Sequence, residues 1–139
     1  MRISWTNEED RPGQFELHAA NVRRSLKGRK GQAALRELEA ALLALPVKRL
    51  IDGAVEHDGD VCAIGALARA KGVDVEPEDE WSDPEDTDMV PIGEECGMPR
   101  LVAWEVVCQN DLHMEWLTPE QRYDSMLRWV RKQLEEKTV

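Results

Sequence analysis

A mainly α-helical single domain is what this sequence predicts, and three observations predict it. Apolar residues recur at helical spacing over roughly 14–72 and again over 99–137. Hydrophobic residues make up 42% and charged residues 33%, the balance of a globular chain with a core rather than a disordered one. Between the two helical halves, residues 74–97 lose the periodicity; Asp74–Asp88 holds nine carboxylates and no Lys or Arg. The 139 residues are therefore expected to form one domain of about five helices, with an acidic irregular segment joining its halves.

Residues 1–13 read as a polar lead-in whose large apolar residue, Trp5, docks on the domain, and Pro12-Gly13 closes it. From Gln14, Phe15, Ala19, Val22 and Leu26 fall at i, i+4, i+7 and i+11, one face of a helix. Arg23, Arg24 and Lys27 suit the negative end of its dipole. Gly28-Arg29-Lys30-Gly31 breaks that helix, and the next, about 32–45, carries an unbroken stripe of Leu35, Leu38, Leu42 and Leu45 before Pro46 stops it. Leu50–Val55 fits either a short strand or an irregular connection. His57-Asp58-Gly59-Asp60 is a turn, with Asp58-Gly59 suited to positive φ. Asp60 is placed to cap a small-residue helix over Val61–Lys71, which another helix can approach closely, and Gly72 closes it.

Past the acidic stretch, Pro91, Gly93 and Gly97 predict an irregular Met89–Gly97. Pro99 suits the first turn of a helix to about Asn110, with Leu101, Trp104 and Val107/Cys108 as its buried face. Thr118-Pro119-Glu120-Gln121 is a capping-box start for the closing helix, about 119–136, where Tyr123, Leu127, Val130 and Leu134 form the stripe and Met126 and Trp129 flank it.

The net charge is −10, yet outside Asp74–Asp88 the chain carries 18 basic against 19 acidic residues, so the acidity is local. That balance argues against direct nucleic-acid binding, since phosphates would be repelled. No apolar run approaches the ~18 residues of a membrane span. The N-terminus shows no h-region, and Cys62, Cys96 and Cys108 are odd in number and far apart, so a reducing cytoplasm is expected.

Candidate chemistry is sparse. His57, Asp58, Asp60 and Cys62 are the densest group of potential metal ligands, but the paired spacings of zinc sites are missing, and a turn followed by a helix cap is the favoured reading. His18 and His113 lack sequence partners. Glu76, Glu78 and Glu80 alternate like calcium-loop ligands, but Trp81 stands where that loop needs Gly. No nucleophile–base pair or cofactor fingerprint is present, so no cofactor is expected and the balance leans away from an enzyme. Arg23, Arg24, Lys27, Arg29 and Lys30 form a basic turn that fits either a phosphate or nucleotide site at the following helix or a solvated corner. Trp81 fits either an anchor to the core or an aromatic contact ringed by charge. As the partner-binding surface the sequence points to Glu78, Asp79, Glu80, Asp83, Glu85, Asp86 and Asp88, with Trp81 as the apolar contact.

The runs Gly-Arg-Lys-Gly-Gln-Ala-Ala-Leu-Arg-Glu-Leu, Leu-Pro-Val-Lys-Arg-Leu-Ile and Gly-Asp-Val-Cys-Ala-Ile-Gly-Ala-Leu, with the closing Thr-Pro-Glu-Gln-Arg-Tyr and Trp129-Val130, resemble small proteins encoded by bacteriophages and prophages. The likeness covers most of 28–74 and 118–131 and carries no catalytic residues. It implies an accessory protein acting in a bacterial cytoplasm, of the kind that inhibits host defence, such as an anti-CRISPR protein. The partner it implies is a host protein with a basic surface that handles nucleic acid. The alternative is a small-ligand or nucleotide-binding protein, with or without hydrolase activity, that uses the basic turn and the helix around Cys62–Ala66.

Overall fold

Six helices and one two-stranded hairpin are present in the computed structural model, which describes residues 12–52, 54–75, 89–111 and 116–135. In chain order they are α1 (Pro12–Lys27), α2 (Arg29–Ala44), β1 (Glu56–His57), β2 (Asp60–Val61), α3 (Ala63–Lys71), α4 (Met89–Glu95), α5 (Arg100–Asp111) and α6 (Pro119–Glu135). All the helices pack around one hydrophobic core.

The deepest part of that core is the seam where α2 meets α3 and α6. Leu35, Leu38 and Leu42 show no exposed surface, and Ile64, Leu67, Met126 and Val130 close over them. The leucine stripe was legible because buried positions on α2 recur at the spacing of one helix face. Tyr123 from α6 joins the seam, and its hydroxyl donates to the Leu42 carbonyl at 2.8 Å. Lys48 donates to the Leu43 and Leu45 carbonyls, which the end of α2 leaves without helical partners.

Several boundaries fall where the sequence places them. Thr118 and Gln121 form the reciprocal capping box: the Gln121 amide donates to Thr118 Oγ1 at 3.1 Å and the Thr118 amide to Gln121 Oε1 at 2.9 Å. Gly72 ends α3 in the left-handed region at φ 73°. Asp58 and Gly59 take φ of 54° and 85° in the hairpin turn.

Other expectations are corrected. Gly28 alone separates α1 from α2, so the break is one residue rather than four. The Asp60 side chain does not cap α3; it pairs with Arg49 at 2.8 Å, and Cys62 is the cap, its Sγ accepting from the Gly65 amide at 3.4 Å. Met89–Glu95 is helical rather than irregular. Pro91 sits in the first turn, where its missing N–H costs nothing, and Gly93 lets α4 lie so close to α5 that a Cβ there would be 2.9 Å from the Cβ of Ala103. The buried face of α5 is Val102, Ala103, Val106 and Asn110, not the face centred on Trp104, which is 50% exposed. Small Ala103 allows that close approach, and an indole in its place would hold the two helices apart.

The described residues of Leu50–Val55, all but Gly53, lie outside the strands, and polar groups pin them. The Leu50 amide donates to the Pro119 carbonyl and the Ile51 amide to the Val61 carbonyl, each at 3.0 Å. Buried Arg122 donates to the Leu50 carbonyl at 3.3 Å and lies 3.6 Å from the Asp52 carboxylate. Asn110 ties three elements: its Oδ1 accepts from the Ala63 amide at 3.0 Å and its Nδ2 donates to the Ile51 carbonyl at 2.9 Å. At Gly65 the small-residue helix lies against backbone, since a Cβ there would be 2.3 Å from the Val55 carbonyl oxygen.

Candidate functional site

The residues picked for partner binding, Glu78, Asp79, Glu80, Trp81, Asp83, Glu85, Asp86 and Asp88, lie outside the described residues, as do Trp5 and His113. What the structure places is the two roots of that segment. On the N-terminal side, the Val73 amide donates to the Ala68 carbonyl at 2.9 Å, and Val73 and Val75 pack against the core. On the C-terminal side, Met89 is buried. Both roots belong to α3 and α4, which pack against each other.

The possible metal group does not converge. His57 Nε2 lies 3.3 Å from Asp58 Oδ2, Asp60 is engaged by Arg49, and Cys62 is sealed in the core. Burial pushes the Cys62 thiol up to about 12, so it is a neutral helix cap rather than a nucleophile. Burial also raises Cys96 and Cys108. Among the described residues, no group of three or more His, Cys, Asp or Glu side chains is placed to hold one ion.

At the basic turn, Arg23, Arg24, Lys27, Arg29 and Lys30 are all exposed. At the start of α2, Gly28 supplies no side-chain cap, and a Cβ on Gly31 would lie 1.9 Å from the Ser25 carbonyl oxygen. The first turn of α2 thus abuts the carbonyl end of α1, where partial negative charge accumulates. The other half of the nucleotide reading, Cys62–Ala66, is wholly buried and serves as core.

The structure adds a groove that sequence reasoning missed. It has a volume of about 390 Å³ and runs along α1 from His18 to Lys27, with Trp129 and Gln133 of α6 opposite and Glu105 of α5 at its margin. Val22 and Leu26 form an apolar floor, while Arg23 and Lys27 stand on the α1 wall. Beneath it, Gln32 Nε2 donates to the Leu26 carbonyl at 2.8 Å and reaches the Gln133 carbonyl at 3.4 Å, tying both walls to α2. The i, i+4, i+8 row of His18, Val22 and Leu26 was visible in the sequence; its apposition to Trp129, more than a hundred residues on, was not.

Fold and surface together define a small mainly helical domain that joins a nearly neutral frame to one concentrated acidic segment. The chain matches no family model, and neither a curated protein nor a solved structure is significantly similar to it.

Proposed function

We propose that this chain is a non-enzymatic interaction protein whose Asp74–Asp88 segment binds a basic surface on another protein. Its most concrete form is a phage-encoded inhibitor of a bacterial defence complex, of the anti-CRISPR kind, acting in the host cytoplasm. The observation that carries the reading is the separation of charge. Nine carboxylates stand in fifteen residues without one base, whereas the described residues outside that segment hold fifteen basic and fourteen acidic side chains. Like charges so crowded repel one another, and a basic partner relieves the repulsion. A defence complex must hold nucleic acid in a positive channel, and a carboxylate array rooted on two packed helices has the charge to compete for it. The field would speed encounter and select the partner, while apolar contacts such as Trp81 would slow dissociation.

The test is binding to a purified CRISPR effector complex, with and without neutralisation of Asp79→Asn, Glu80→Gln, Asp83→Asn and Asp86→Asn. Association should slow by ~10–10³-fold and lose much of its salt dependence. The melting temperature should stay equal or rise slightly, because repulsion is removed. A variant that unfolds makes the segment a structural element instead. A variant that folds and binds unchanged moves the interface elsewhere on the helices.

A further inference from the structure

We infer that the α1/α6 groove receives the Asp74–Asp88 segment of a second copy of this chain, in a reciprocal pair. This goes beyond the function proposed above and does not rest on it, because no foreign partner is involved.

The groove sets three requirements on an occupant. Arg23 and Lys27, four residues apart on α1, stand one turn from each other on the same wall, so that wall is basic and suits an occupant that carries carboxylates on the side away from Glu105. Val22, Leu26 and half-buried Trp129 ask for an apolar group between them. A volume of about 390 Å³ admits one bulky side chain with its flanking backbone, not a whole helix. Glu78-Asp79-Glu80-Trp81-Ser82-Asp83 has that pattern: one indole with carboxylates on both sides. Indole against indole at Trp129 is a favourable aromatic pairing, and an arginine beside an indole adds a cation–π contact.

The placement of the segment's roots favours exchange between copies. The C-terminal root is α4, and α4 packs on α5 through Gly93 against Ala103. Glu105, which borders the groove, is two residues further along α5 and therefore about 200° around the helix. The groove and that root thus lie on opposite sides of α5. Two copies related by a two-fold axis can each place a segment in the other's groove, and such an exchange is closed rather than open-ended. The attraction is local, between a basic wall and an acidic stretch, and works against the repulsion of two chains that each carry −10. The pair should therefore weaken as salt rises.

The test combines sedimentation equilibrium of the full chain with fluorescence anisotropy of a labelled synthetic peptide of residues 74–88. We expect a concentration-dependent dimer and saturable peptide binding, both weakened about tenfold or more by Arg23→Glu with Lys27→Glu. Both residues are exposed, so circular dichroism melts of that variant should stay cooperative, lowered only by the few degrees that acidic groups cost at the negative end of the α1 dipole. Mixing it with the chain neutralised at 79, 80, 83 and 86 should restore a pair, because one mutant supplies an intact segment and the other an intact groove. A chain that stays monomeric at every concentration overturns the inference, including a monomer whose segment occupies its own groove. So does peptide binding that the groove variant leaves unchanged. Neither result bears on recognition of a foreign partner, which the effector-binding experiment reads separately.

Discussion

The α2–α3–α6 seam and the α1–α5–α6 groove are neighbouring parts of one frame, built on different terms. In the seam, leucines, methionine and valine are excluded from water, and the Tyr123 hydroxyl that enters it satisfies a specific backbone group, the Leu42 carbonyl. In the groove, the exposed cations Arg23 and Lys27 stand beside Val22, Leu26 and half-buried Trp129. The first arrangement serves stability, because burial is complete and each removed methylene leaves a void. The second gives up burial and keeps sticky, charged surface available to another molecule.

Mutations should separate the two regions. Leu38→Ala should be the most damaging, lowering unfolding free energy by about 2–5 kcal/mol in urea titrations; a loss well under 1 kcal/mol would mean the seam is not the stabilising core. Asn110→Ala strips partners from the Ala63 amide and the Ile51 carbonyl together, and should cost about 1–3 kcal/mol by the same measurement. Alkaline pH probes the seam's edge through Cys62, whose folded-state value is raised from 9.0 to about 12. A raised value means the folded chain holds the proton more tightly, so the stabilisation is complete below pH 9 and is lost as pH climbs towards 12. Stability should fall by up to about 1.4 kcal/mol per pH unit in that window, and Cys62→Ala should flatten the slope. The smallest effect belongs to a groove residue that stands clear of the core: Arg23→Gln should change stability by no more than about 0.5 kcal/mol, and a loss above about 2 kcal/mol would erase the distinction between the regions.

How much the sequence revealed follows the same division. The α2 stripe, the capping box at Thr118 and Gln121, the Gly72 cap and the positive φ of Asp58-Gly59 were legible because each depends on residues within a few positions of one another. The helical character of Met89–Glu95 was hidden by Pro91 and Gly93, which read as breakers until their context is known: a first turn, and a close contact with Ala103. The face of α5 was misassigned because Trp104 is its largest apolar residue, whereas close packing there selected small ones. Asn110 read as a helix end, and nothing local shows that its amide joins three elements. The groove was illegible for the same reason, since its walls come from helices distant in the chain.

The long reach of the α2–α6 contacts also bears on how the chain acquires its structure during synthesis. Tyr123 meets the Leu42 carbonyl 81 residues away, and the Gln32 side chain reaches the Gln133 carbonyl 101 residues away. The leucine face of α2 is translated well before its partner helix α6. Until α6 has left the ribosome that face lacks its final cover, so a nascent chain halted before Thr118 should be sticky and open to chaperones and proteases. Closure of the seam by α6 then turns an exposed intermediate into a protected domain.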